Sequence, residues 1–162
     1  MSPAIGMSIT LRDVTAEDDL FLRKVYACTR ARELSVVPWT DEQREAFLQF
    51  QFDAQNSHYR GQYPQANFQI IETADEPVGR LYVSRESNLI RILDITVLPE
   101  HRSAGIGTTL VQEIIAEANR NGQAVTIWIE QDNPAQGMFQ RLGFQPTQND
   151  GYNVMFEYRS QN

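Results

Sequence analysis

The hydrophobic rhythm of residues 89–130 changes twice, and no other feature constrains the fold as tightly. Residues 89–98, LIRILDITVL, read as a strand. Residues 105–121 then place Leu110, Val111, Ile114, Ile115 and Ala118 on one face of a helix that ends at Asn121-Gly122. Residues 124–130, AVTIWIE, are apolar on both faces, as a buried parallel strand is. A strand, a helix and a strand in this succession make one right-handed crossover with its two strands parallel.

The rest of the chain supplies antiparallel partners. Residues 8–14 alternate apolar and polar, the pattern of a half-buried strand. Thr15 before AEDD opens a helix carrying Leu20, Leu22, Val25 and Tyr26. Pro38 and Trp39 interrupt it. Thr40 opens a second helix, whose Phe47, Leu48, Phe50 and Phe52 are read as core. Residues 57–67, SHYRGQYPQAN, read as a loop by their Gly, Pro and Asn content. Strands follow at 68–74 and 78–85, and the short turns ADEP and ESN make hairpins natural up to the strand at 89–98. A short helix over 134–142 ends at Gly143, and strands over 144–148 and 152–159 finish the chain. The expected order is β-α-α-β-β-β-α-β-α-β-β, in one domain spanning 1–162 with residues 1–7 as a loose extension.

Composition narrows the function classes. With 162 residues, 41% of them hydrophobic, the chain can bury a core without disulfides or metals. Its one cysteine, Cys28, excludes an intramolecular disulfide and is read as a small buried apolar residue. The two histidines, His58 and His101, are read as exposed loop residues, and no zinc spacing exists. A formal charge of −7 opposes nucleic-acid binding and is compatible with amine-bearing partners. No apolar run approaches the ~20 residues of a membrane span. The N-terminus, MSPAIGMSIT, has neither the basic nor the apolar region of a signal peptide. These features describe a cytoplasmic protein with no membrane, nucleic-acid or metal partner.

The chemistry concentrates in Val97-Leu98-Pro99-Glu100-His101-Arg102-Ser103-Ala104-Gly105-Ile106-Gly107-Thr108. A strand runs into a loop and the loop into a helix, whose first amides are unpaired and partly positive, so the segment suits an anion. Gly105 and Gly107 let the backbone approach a phosphate closely, and Arg102 adds charge. A P-loop would need a lysine, and none is near. A dinucleotide site would need a third glycine where Leu110 stands. Glu130 would mimic its ribose-binding acid, but too few residues follow the helix to complete that fold.

The run VLPEHRSAGIG resembles the pyrophosphate motif of the GNAT acetyltransferase family, R/Q-x-x-G-x-G/A after V-x-P. The run NPAQGMFQRLGF, residues 133–144, resembles the family's second motif, in which a helix ends at L-G-F. The resemblance implies an α+β fold, a mixed sheet of about seven strands flanked by about four helices. It implies that acetyl-CoA gives its acetyl group to the amine of a small molecule or peptide, and it leaves a homodimer open. The amides of Arg102, Ser103, Ala104, Gly105, Ile106, Gly107 and Thr108 would hold the pyrophosphate. The strand edge at Ile95, Thr96 and Val97 would pair with the pantetheine, and an amide near Thr96 or Val97 would stabilise the oxyanion. Asn133 would contact the coenzyme arm, or cap a helix before Pro134. Tyr26, Trp39, Tyr59 and Tyr63 come from the region that lines the acceptor side.

One position departs from the family pattern. Phe139 stands where many relatives have a tyrosine that protonates the leaving thiolate. Tyr152, Tyr26, Tyr59 or a water could replace it, with Tyr152 the residue to test. Asp94, Glu130 and then Glu72 are the candidate bases.

Overall fold

The computed structural model describes residues 8–161, so the expected N-terminal extension, 1–7, lies outside the described residues. Local signals set most element ends. Strand β1 (Ile9–Asp13) leads into a 3-10 turn at Ala16–Asp18 and then helix α1 (Asp19–Leu34). The turn is held because the Thr15 amide donates to Asp18 Oδ2 at 2.7 Å, while Arg12 clamps both Asp18 oxygens at 2.8 and 2.9 Å. Helix α2 (Asp41–Gln62) starts at a reciprocal cap. The Gln43 amide donates to Thr40 Oγ1, and the Thr40 amide donates to Gln43 Oε1.

Helix α2 corrects two expectations. Residues 57–62 are helical rather than a loop, so exposed His58 lies on a helix. A single glycine, Gly61, weakens a helix but does not end it; Pro64 does, because it disfavours the helical conformation at Tyr63. The expected core stripe is only partly core. Phe52 is buried and Leu48 packs against it, but Phe47 is half-buried and Phe50 is 73% exposed. At about 100° per residue, Phe50 points roughly opposite to the Leu48–Phe52 line.

Strands β2 (Asn67–Thr73), β3 (Glu76–Arg85) and β4 (Leu89–Val97) form a meander. Ala74 and Asp75, both with positive φ, make the tight β2–β3 turn. Helix α3 (Ile106–Asn121) lies between Gly105 and Gly122, both left-handed. Strand β5 (Ala124–Glu130), helix α4 (Gln136–Arg141) and strands β6 (Gln145–Asn149) and β7 (Asn153–Tyr158) complete the chain. The sheet order is β1-β2-β3-β4-β5-β7-β6, antiparallel throughout except for the parallel β4–β5 pair. Among the described residues, four helices and seven strands in this order match the expected architecture.

The sheet has two unlike faces. On one, Ile71, Leu81, Ile92 and Ile127 pack with Leu110, Val111 and Ile114 of α3 and Phe139 of α4. On the other, Ile70 packs with Leu22 and Tyr26 of α1 and Phe52 of α2. Neighbouring Ile70 and Ile71 thus serve opposite faces, as strand alternation requires. Among the described residues no helix is long and apolar enough to cross a membrane.

Candidate active site

Strands β4 and β5 part company halfway. They pair from Leu89↔Ala124 to Ile92↔Ile127 and no further. Beyond that point β4 stays with β3 and β5 stays with β7. The β3 register jumps from Tyr82↔Asp94 to Val83↔Ile92, so Leu93 is an extra residue in β4, a bulge that bends the strand as the gap opens. A cleft of about 1090 Å³ lies in and around this gap. It is large for a single small-molecule pocket, for which roughly 300–1,000 Å³ is usual.

Alternation decides which β4 groups face the gap. The Leu98 amide donates to Val78 O at 2.8 Å, so Thr96 and Asp94 also turn their backbone groups towards β3. Gly79 agrees: a Cβ there would collide with the Thr96 carbonyl. The backbone groups of Ile95 and Val97 therefore face the gap. Of the two amides expected to stabilise an oxyanion, that of Val97 faces the gap and that of Thr96 is engaged in the sheet.

The loop after β4 curls into a cradle of backbone amides at the start of α3. Ser103 and Gly105 take left-handed φ values of 71° and 80°, which fold the chain tightly before α3. The first intrahelical bond is Thr109 N–H to Gly105 O, so the amides of Ile106, Gly107 and Thr108 project from the helix end. Ile106 is buried and anchors the turn, and Ala104 packs on the same core. At Gly107, which lines the cleft, a Cβ would meet nothing within 4 Å. The protein itself does not need a glycine there, but a ligand against the backbone would. Arg102 does not point out from this cradle. Its Nε donates to Val97 O at 2.9 Å and its Nη2 reaches Cys28 Sγ at 3.9 Å. Cys28 is half-buried and lines the cleft rather than the core; burial pushes its thiol up, against the charge of Arg102.

On the α1/α2 face the cleft floor is polar. Arg80, 1% exposed, pairs with Asp94 Oδ2 and donates to Gln55 Oε1 at 2.9 Å. Thr96 Oγ1 donates to Asp94 Oδ1 at 2.8 Å, so both Asp94 oxygens are engaged. Tyr59 donates its hydroxyl to the carbonyl of the bulge residue, Leu93, at 3.0 Å. Burial, with the Asp94 charge beside it, pushes that phenol above its ordinary range. Tyr63 also lines the cleft. Glu130 ends β5 and meets Arg30 through Oε1 at 3.3 Å, which leaves Oε2 without a hydrogen bond among the described residues. Glu72 is engaged elsewhere, paired with Arg12 at 3.0 Å.

Other expected residues fall differently. Tyr26 is buried between the helices and donates to Gln51 at 3.1 Å; Trp39 packs edge-on against Phe47. Neither is among the residues lining the cleft. Asn133 is not the helix cap expected of it, because α4 begins only at Gln136 with Ala135 as its N-cap; Asn133 Oδ1 instead accepts from the Ala135 amide at 2.8 Å in the turn ahead of the helix, and the residue also lines the cleft. Phe139 is 1% exposed, set edge-on to Phe144, and its ring borders the cleft. Tyr152, 82% exposed on the β6–β7 turn, borders a shallow hollow with Arg30 and Glu130, not the cleft that Phe139 lines. His101 is half-buried in the 3-10 turn at Pro99–His101.

Sequence reasoning misses four features: Arg80, Arg30, the Leu93 bulge and Trp128. Strand β5 reads as buried on both faces, yet Trp128 is 44% exposed in the cleft. Its sequence signal is that of a core strand residue, and only the parting of β4 and β5 uncovers it.

Solved structures share this architecture. The PaiA N-acetyltransferase of Thermoplasma acidophilum, in complex with coenzyme A, superposes with a TM-score of 0.67 at 18% identity, covering 94% of this chain and 99% of that one. An acetyltransferase from Thermus thermophilus gives 0.66 at 18% identity, covering 94% and 97%. Arabidopsis thaliana Naa50, bound to the bisubstrate analogue CoA-Ac-MVNAL, gives 0.62 at 14%, covering 93% and 98%. At such identities the likeness speaks for the fold. No curated protein matches the chain. The model of the acetyltransferase (GNAT) family matches residues 24–144, from α1 through α4. With the gap, the cradle and the two motifs inside that span, the chain belongs to the acetyltransferase (GNAT) family.

Proposed function

We propose that the protein transfers the acetyl group of acetyl-CoA to the primary amine of a small molecule or peptide, by direct attack and without a covalent enzyme intermediate. The observation that carries this reading is the β4–β5 gap with the Arg102–Thr108 cradle at its end. The residues present fit the coenzyme: the cradle amides suit a diphosphate, open space above Gly107 leaves room for it, and the gap edge offers unpaired backbone. Acetyl-CoA supplies an activated thioester. The Ile95 and Val97 edge would hold the pantetheine amides as an added strand, which requires Arg102 to release Val97 O. The Val97 amide would donate to the developing oxyanion. Asn133, its Oδ1 engaged by the Ala135 amide, offers its side-chain amide nitrogen to the coenzyme arm.

Glu130 is the better placed proton acceptor. Its Oε2 is unengaged, whereas Asp94 is held on both oxygens and neutralises the buried Arg80. Asp94 then serves to shape the β4 edge. Tyr152 belongs to the acceptor rim beside Glu130, so the thiolate leaves without a tyrosine beside Phe139. The lone free cysteine suits a cytoplasmic setting.

Thiol release from acetyl-CoA with a panel of amines tests the activity. Glu130→Gln is expected to lower kcat at least tenfold, within the ~10²–10⁴ range of general base catalysis, and to remove a proton-dependent limb of the pH–rate profile. An unchanged profile would take the proton transfer away from Glu130. Coenzyme A binding without turnover on any amine would favour a non-catalytic binding module, the reading that Phe139 supports.

A further inference from the structure

Trp128 is a large, mostly apolar ring left 44% exposed in the cleft, and no packing need of the fold accounts for it. Ile127 and Ile129 lie in the core beneath α3 and α4, so Trp128 between them faces the α1/α2 side. It stands one residue past the last β4–β5 pair, at the point where the gap begins. Glu130, two residues on, shares its face. Tyr59 of α2 and Tyr63, just past its end, line the same cleft. The cradle of Arg102–Thr108 belongs to the α3 side, so a thioester held in the gap presents its carbonyl to the Trp128 side. The acceptor must come from there.

The charges at this end of the cleft select the acceptor. Arg30 is met by both Glu33 and Glu130. Asp132 is exposed, lines the cleft and forms no ion pair among the described residues. Of the other guanidinium groups lining the cleft, Arg80 is paired with Asp94, Arg91 with Glu86, and Arg102 is bonded to Val97 O, so Glu33, Glu130 and Asp132 face Arg30 and Arg32. The face of an indole attracts a cation and repels an anion.

We propose that Trp128 is the acceptor-recognition residue, and that the acceptor is an alkyl- or arylalkylamine with no carboxylate. Its apolar body lies on the indole and its nitrogen beside Glu130. The amine arrives as an ammonium and gives one proton to the Glu130 carboxylate. The neutral nitrogen forms the N–C bond to the acetyl carbon, the C–S bond breaks, and coenzyme A leaves as thiolate. The remaining excess proton on nitrogen passes to the thiolate through solvent, and Glu130 returns its proton to bulk water. The inference rests on the acetyl-transfer reading above.

The test is steady-state acetylation of phenethylamine and of phenylalanine, which differ by one carboxylate, with coenzyme A binding followed separately by calorimetry. The native protein should use phenethylamine with at least tenfold higher kcat/KM. Trp128→Ala should raise the KM for phenethylamine about tenfold and leave the KM for acetyl-CoA unchanged, while Trp128→Phe should keep most of the native behaviour. Equal use of phenylalanine, or an unmoved phenethylamine KM in a folded Trp128→Ala variant, would overturn the proposal. So would the absence of transfer to phenethylamine by a protein that binds coenzyme A and acetylates other amines, with the acetyl-transfer reading intact. No coenzyme A binding at all would remove that reading as well.

Discussion

Phe139 shows how one side chain can satisfy the fold and unsettle the chemistry. Its ring is part of the core, set edge-on to Phe144 at 5.1 Å, and it also borders the cleft. A phenyl ring cannot give the departing thiolate a proton. Phe139→Tyr adds one hydroxyl to a ring the site already accepts, and it should raise turnover with a good acceptor about tenfold or more. Steady-state rates of the folded variant decide it; unchanged turnover would mean that solvent already protonates the thiolate fast enough. At this scale the turn before α3 is legible in the sequence, because a glycine between a strand and a helix marks a left-handed residue, whereas the bond of Arg102 to Val97 O is not. Trp128 and Arg80 are not. A tryptophan in AVTIWIE and an arginine in VGRLYVSR look like ordinary strand residues until their neighbours across the sheet are known.

Among the elements, those bounded by strong local signals are legible in sequence and those shaped by their neighbours are not. Helix α3 begins and ends at left-handed glycines and matches its expected span closely. Helix α2 runs six residues further than its polar, glycine-containing end implies. The Leu93 bulge and the parting of β4 from β5 are properties of pairing, which no single strand records. The start of α1 offers a pH test. The Arg12 guanidinium and the Thr15 amide hold the Asp18 carboxyl down at about 2, below its ordinary 3.8. A lowered carboxyl contributes stability that is complete above the ordinary value and is lost as the pH falls towards the lowered one. Asp18→Asn should therefore destabilise the protein at pH 7 by about 1–2 kcal/mol, the scale of a lost helix cap. Urea denaturation of both proteins should show the difference shrinking between pH 4 and pH 2. A difference that stays constant over that range would assign it to packing instead of charge.

At the scale of the whole molecule, the sheet works as a divider. Helices α3 and α4 and the cradle occupy one side, α1, α2 and the polar floor occupy the other, and the β4–β5 gap connects them. Two substrates can thus approach one another through the sheet from opposite faces. The most direct test is calorimetry of coenzyme A with the native protein and with Gly107→Val. A Cβ at Gly107 meets open space and the backbone there is ordinary helix, so the variant should fold, as circular dichroism would show. It should bind coenzyme A at least tenfold more weakly, a loss of about 1.4 kcal/mol. Native binding that a folded Gly107→Val variant reproduces unchanged would contradict the placement of the coenzyme in this cradle.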